Sequence, residues 1–191
     1  MIIGNGDIAK ALKEVDRDDL LFFASGVSNS QEKRESEYKR EFNLLNSLLI
    51  NPGGKLKHLV YFSSLAIFYS DTRYAVHKRT MELAIKERFW HYTIIRLGNI
   101  SWGDNQHTII NFLRNKIKNG EPYKIKDEYR YIIEEDEFLH WMRLIPVWNC
   151  EMNIPGKMMK VKEIVQGLEE ALKLGYCAEE DDEEGIGYEH A

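Results

Sequence analysis

Three short segments carry residue types that could do chemistry. In "DTRYAVHKRTMEL" (71–83), Tyr74 and Lys78 are four residues apart and share one face of any helix they form. An ammonium beside a phenol favours the phenolate, which makes a tyrosine a usable general acid or base near neutral pH. Lys78 could also hydrogen-bond a ribose. The competing reading is an amphipathic helix with Tyr74 in the core and Lys78 solvated. "GNGDIA" (4–9) has the form Gly-x-Gly-x-x-Ala. Gly4 would permit a tight turn, Gly6 would let backbone approach a pyrophosphate, and the small Ala9 would allow close helix packing. An ordinary glycine turn reads the same way. "VYFSS" ends in Ser63 and Ser64, whose hydroxyls either meet a substrate or satisfy local backbone groups.

These residues need elements that hold them together. Residues 2–3 read as a very short strand running into Gly4, and 7 to about 15 as a helix. "LLFFAS" (20–25) is a continuous apolar run, as expected of a strand buried on both faces. Residues 28–51 read as a helix with Tyr38, Phe42, Leu45 and Leu49 at helical spacing, ended by "NPGG" (51–54). Then come a strand "KHLVYFSS" (57–64), a helix over about 72–88 and a strand "YTIIRL" (92–97). After the loop "GNISWGD", residues 109–119 form a helix closed by Gly120. "YKIK" and "YRYII" read as short strands, and "EDEFLHWMRLI" as a helix stopping at Pro146. "EMNIP" reads as a last strand and 161–174 as a last helix. Strands alternating with helices indicate an α/β domain with a mainly parallel sheet. Ligands of such sheets sit at the carboxyl ends of the strands, so the turns after residues 3, 25, 64 and 97 converge on one site.

Taken in order, the segments resemble the extended short-chain dehydrogenase/reductase family, especially its nucleotide-sugar epimerases, dehydratases and reductases. "GNGDIA" is similar to the dinucleotide turn, "LLFFASG" to the strand ending in Ala-Ala, and "LVYFSSLAIFYS" to the strand carrying the catalytic hydroxyl. "YAVHK" matches Tyr-x-x-x-Lys and "IIRLGNISWG" matches Arg-x-x-Asn-x-x-Gly. "YRYIIEEDEFLHWM" and "MNIPGKMMKVKEIVQGLEEAL" are similar to the later Arg-to-Asp and Asn-Ile regions. The resemblance covers most of the chain. It implies a Rossmann-like fold with flanking helices, a shortened N-terminal half, a small C-terminal cap and NAD or NADP as cofactor. Tyr74 would exchange a proton with a sugar hydroxyl or carbonyl while hydride moves to or from nicotinamide. Lys78 would orient the ribose and tune Tyr74, and Ser64, with Ser63 second, would orient the substrate. Gly4, Gly6, Asp7, Ile8, Ala24, Ser25, Gly26, Ser63, Lys78, Leu97 and Asn99 would contact the cofactor. Asn99, Trp102 and Arg130, with His107, would face a nucleotide sugar, such as one used in surface-polysaccharide synthesis. Packing for Trp102 and an ion pair of Arg130 with Glu134 or Glu135 are the alternatives.

Two departures from the family pattern bear on function. Only about a dozen residues separate Gly6 from Leu20, and residues 24–30 ("ASGVSNS") hold no carboxylate for an adenosine ribose. Either "LLFFASG" is the second strand of a normal half, or it corresponds to the family's fourth and two strand–helix units are absent; the order of the later segments favours the second. Leu65 stands where the sugar epimerases carry Ser or Thr. These departures motivate the alternative of a noncatalytic relative that binds a nucleotide or a protein partner. In this family the helices at about 30–50 and 72–88 often pair across a homodimer, for which Tyr38, Phe42 and Met81 are candidates unless burial within one chain claims them.

Composition narrows the class. A formal charge of -5 provides no basic stripe for nucleic acid. No apolar run approaches the roughly 20 residues of a membrane span. "MIIGNGD" does not read as a signal peptide, and Cys150 and Cys177 have no metal-like spacing. The six histidines form no ligand motif. The expectation is a cytoplasmic protein without a structural metal. It would be one domain over residues 1–176, including a small substrate cap at about 104–176, with an acidic tail at 177–191.

Overall fold

The computed structural model describes residues 1–50, 57–125 and 127–175. Its main sheet has five strands, all neighbours parallel: β1 (Ile2–Ile3), β2 (Leu20–Phe23), β3 (His58–Ser64), β4 (Tyr92–Leu97) and β7 (Cys150–Ile154), in the order β1-β2-β3-β4-β7. This is a Rossmann-like α/β fold. The unbroken apolar run of β2 follows from its position, since Leu20, Leu21, Phe22 and Phe23 are all fully buried. Alternate residues feed two cores. Phe22, Val60, Phe62, Ile95 and Leu97 pack against Ala11 and Leu12, from helix α1 (Asp7–Ala11) and the 3-10 turn behind it, and against Phe138 and Met142 of α5 (Glu135–Arg143). Leu21, Phe23, Leu59, Tyr61 and Ile94 pack on the opposite face against Leu45 of α2 (Glu35–Ile50) and Met81 and Ile85 of α3 (Arg73–Arg88).

A small second sheet, β5 (Asn99–Ile100), β6 (Tyr129–Ile133) and β8 (Lys157–Lys160), is ordered β5-β6-β8. Helices α4 (Ile109–Lys118) and α6 (Val161–Lys173) cover it, packing Ile110, Leu113, Val161, Ile164 and Val165 with Ile132 of β6. The polypeptide reaches this lobe through β5, leaves through β6 to supply α5 and β7 to the main sheet, and returns through β8.

Several element boundaries differ from the sequence reading. Helix α2 begins at Glu35, not at 28, because local side chains compete for the backbone before it. Asn29 Oδ1 accepts from the Gln31 amide at 2.9 Å, and Glu32 Oε1 accepts from the amides of Lys33 and Arg34, each at 2.9 Å. Residues 123–125 of the expected "YKIK" strand are not extended partners of any sheet; Tyr123 instead packs on the small lobe and donates its hydroxyl to Glu169 at 3.0 Å. Strands β5 and β8 went unread, because Asn-Ile and Lys-Met-Met-Lys show no alternation. Tyr38 and Met81, offered above as dimer-face residues, are buried within the chain, and Phe42 packs on the α2–α3 core. The helix end expected at 51–54, Lys126, the acidic tail, Cys177 and His190 lie outside the described residues.

Candidate active site at the rim of the sheet

Helix α3 starts close to the carboxyl end of β3. Strand β3 ends at Ser64, a 3-10 turn (Leu65–Phe68) follows, and Thr72 then caps α3 by accepting from the Ala75 amide at 3.4 Å. Tyr74 and Lys78 therefore occupy the first two turns of a helix lying against the carboxyl end of β3. Tyr74 is half-buried and lines the cleft, whereas Lys78 is only 2% exposed. This inverts the amphipathic alternative, which solvated the lysine. Lys78 Nζ donates to Glu41 Oε1 at 2.9 Å, to the Tyr61 hydroxyl at 3.2 Å and to the Phe62 carbonyl at 3.4 Å. It also lies 5.8 Å from the centroid of the Tyr74 ring.

Glu41 is the residue sequence reasoning missed. It is completely buried, and its other oxygen accepts from the Val27 amide at 2.7 Å and contacts His77 Nε2 at 3.0 Å. The Tyr61 hydroxyl donates to Oε1 at 2.7 Å. Burial alone would raise the Glu41 carboxyl, but the Lys78 ammonium and the hydrogen bonds from His77, Val27 and Tyr61 outweigh it and hold the group down to about 2. Burial, with the Glu41 charge beside it, pushes the Tyr61 phenol up. Gly26 makes room for this cluster: a Cβ there would lie 2.6 Å from Lys78 Nζ and 3.0 Å from Glu41 Oε1. A signal for Glu41 did exist. It sits at helical spacing from Tyr38, Leu45 and Leu48, so a carboxylate occupies the buried stripe of α2.

The glycine turn is built for two different reasons. Gly4 has φ +133°, and a Cβ there would sit 2.3 Å from the Ala24 carbonyl oxygen, so the close approach of β2 requires glycine. Gly6 has an ordinary extended backbone and nothing of the protein within 4 Å of where its Cβ would lie. Its bareness serves no packing and leaves backbone open to the cleft. Asp7 does not face outward as a free acid. Its carboxylate accepts from the amides of Asp104 at 3.1 Å and Asn105 at 3.0 Å, tying α1 to the loop after β5.

A cleft of about 870 Å³ runs along this rim. Gly6, Asp7, Ile8, Ala24, Ser25, Gly26, Ser63, Ser64, Tyr74, Lys78, Leu97 and Asn99 all line it, as do His107 and Arg130. The convergence expected from the strand ends is therefore present. Gly4 lies behind the lining. Trp102 also lies outside it, packed on Phe138 with ring centroids 5.2 Å apart. Arg130 pairs with Glu128 at 2.6 Å rather than with Glu134 or Glu135, and Asn99 donates to the Tyr131 carbonyl at 3.1 Å. The two serines differ. Ser64 Oγ accepts from the Ala66 amide at 3.2 Å, while Ser63 Oγ is buried without a partner. Leu65 is buried and does not reach the cleft. Among the described residues no cluster of three His, Cys, Asp or Glu side chains could hold a metal ion, and no helix is long and apolar enough to cross a membrane.

The sequence matches no protein-family model, and no curated protein matches it. Solved structures do match. The Bordetella bronchiseptica enzyme WbmG in complex with NAD and UDP is 14% identical, with a TM-score of 0.64 over 81% of this chain and 56% of that one. The double mutant of DesIV, a dTDP-glucose 4,6-dehydratase from Streptomyces venezuelae with NAD bound, is 14% identical, with a TM-score of 0.65 over 87% and 61%. WbmH from B. bronchiseptica in complex with NAD+ is 12% identical, with a TM-score of 0.66 over 91% and 65%. The chain thus has the fold of these proteins while spanning less than two thirds of the length of each.

Proposed function

We propose that this chain, which has an NAD-dependent epimerase/dehydratase-like fold, is an NAD(P)-dependent oxidoreductase, epimerase or dehydratase acting on a nucleotide-activated sugar. The observation that carries the reading is the meeting of Tyr74, Lys78, the two serines and the bare Gly6 backbone in one cleft at the carboxyl ends of the strands. Solved structures of this fold that contain NAD, one of them with UDP, support the cofactor and the substrate class. The residues fit such a group: Gly6 leaves backbone open where a phosphate could approach, and Ser63 Oγ is a buried hydroxyl with no partner among the described residues.

When bound, the nicotinamide supplies the hydride acceptor or donor. Tyr74 takes the proton from a sugar hydroxyl as it becomes a carbonyl, or returns it in the reverse direction. Lys78, immobilised by Glu41, keeps a positive charge beneath the Tyr74 ring. Ser63 and Ser64 offer hydroxyls to the reacting oxygen, Ser63 with the freer one. Asn99, His107 and Arg130 hold the sugar-nucleotide end, under the lobe formed by β5, β6, β8, α4 and α6.

A noncatalytic nucleotide-binding relative is the second reading. It is favoured by the Glu41–Lys78 pair, since Glu41, Tyr61 and Phe62 already take the donors a ribose would need. The test is turnover of a panel of UDP- and dTDP-hexoses with NAD and NADP, followed by reduced-nicotinamide absorbance and product NMR. Tyr74→Phe should lower turnover by about 10²–10⁴-fold with an unchanged melting temperature. Undiminished turnover in that variant would sink the mechanism, and binding without hydride transfer in the parent chain would favour the second reading.

A further inference from the structure

The order of the main sheet limits what the cleft can hold. A doubly wound sheet binds a dinucleotide across the point where strand order reverses, each half of the sheet serving one mononucleotide. Here β1, β2, β3, β4 and β7 follow one another across the sheet in chain order, so among the described residues the order never reverses. Strand β1 is the edge. Ile2 and Ile3 pair with Phe22 and Phe23, and among the described residues no strand lies on their other side. The whole connection from β1 to β2, residues 4–19, contains only α1 and one 3-10 turn. The turns after β1, β2, β3 and β4 lie along one side of the sheet, and among the described residues no strand-end turn stands beyond Gly6.

The side chains agree with the topology. The segment after β2, residues 24–30, carries no carboxylate for the hydroxyls of a second ribose. The nearest acid in the glycine turn, Asp7, has both oxygens occupied by the Asp104 and Asn105 amides. Glu41 is sealed beneath Gly26.

We infer that the cleft recognises one mononucleotide unit, the nicotinamide ribose monophosphate part of the cofactor, and that the adenosine part gains no contact with the chain. The inference rests on the cofactor reading above and adds which portion of the molecule is held. Its consequence is a cofactor specificity that the glycine turn alone does not give. Reduced nicotinamide mononucleotide, NADH and NADPH bind alike, because the 2′-phosphate that separates the last two sits on the unheld part.

Calorimetric titration of the full chain with these three compounds tests it. Their dissociation constants should agree within about threefold, a difference below 1 kcal/mol. If NADH or NADPH binds more than threefold tighter than the mononucleotide, the inference falls while the cofactor reading stands. If none of the three binds at millimolar concentration, both fall. Gly6→Val localises the binding: its backbone and surroundings accept a side chain, so folding is retained, and all three affinities should weaken together by about tenfold as the side chain fills the approach. Unchanged affinities, or weakening of the dinucleotides only, would overturn the inference.

Discussion

Helix α3 carries two buried ionic clusters one turn apart, and they are sealed to different degrees. At the rim, Lys78 and Glu41 have side chains 3% and 0% exposed, and every partner they have is internal. One turn on, Glu82 binds Arg96 of β4 through Nε at 3.0 Å and Nη2 at 2.6 Å. Arg96 also reaches Glu151 of β7, which is 36% exposed and paired with Lys86. The inner cluster ties α2, α3 and β3 together beneath the cleft, while the outer one ties α3 to β4 and β7 and grades into solvent. Desolvating two charges commonly offsets the attraction between them, so a sealed pair is weak grounds for stability. What distinguishes the inner pair is its position against Tyr74 and the cleft, and under the proposed function it would place a cation there.

Breaking the inner cluster should have the largest effect on stability. Glu41→Ala leaves Lys78 buried and unpaired, and denaturant unfolding should show a loss of about 3–5 kcal/mol. Replacing both members, Glu41→Leu with Lys78→Met, should restore only part of that stability, because the buried Val27 amide and Tyr61 hydroxyl still lose their acceptor. If the double variant is as unstable as Glu41→Ala, the pair holds the fold rather than placing a cation.

Acid should expose the same contrast. The Glu41 carboxyl falls from its ordinary 4.5 to about 2 on folding, so its contribution is complete above pH 4.5 and disappears as pH drops toward 2. Glu151 is held low by Lys86 and Arg96 against the effect of burial, and shifts stability in the same direction. Unfolding free energy measured from pH 6 to pH 2 should therefore fall steeply in the parent chain and less steeply in the Glu41→Leu/Lys78→Met variant; parallel curves would count against a depressed Glu41.

Glu82→Ala should cost less than Glu41→Ala, about 1–3 kcal/mol, because Arg96 keeps Glu151. An equal or larger loss would reverse the ranking of the clusters. The smallest effect belongs to Ser63→Ala. Removing a buried hydroxyl that lacks a partner should leave the melting temperature unchanged or slightly raised, whereas turnover falls if the hydroxyl serves a substrate. A clear drop in melting temperature would mean that Ser63 has a structural partner.

Much of the fold was legible because burial writes itself into short patterns. The run at 20–23 announced a strand covered on both faces, and the spacing of Tyr38 and Leu45 announced the buried stripe of α2. Tyr74 and Lys78 were legible as a pair because four residues make one helical turn. The environment of Lys78 was not legible. Its partners come from α2, β3 and α3 itself, and no local spacing joins positions 41, 61 and 78. The family resemblance ranked Ser64 ahead of Ser63, but their different surroundings lie in the turn that follows: the Ala66 amide folds back onto the Ser64 hydroxyl, while Ser63 Oγ has no partner among the described residues.

The sequence by itself determined an alternation of strands and helices, a glycine turn at the first strand end and a Tyr-Lys pair after the third, since each depends on contacts within a few residues. Only the tertiary structure decided that Lys78 is paired with Glu41, that Trp102 packs against Phe138 instead of lining the cleft, and that β1 lies at the edge of the sheet among the described residues. Those outcomes depend on which strands become neighbours and on which residues distant in the chain share a low-dielectric interior, where one buried carboxylate changes the charge available to a site.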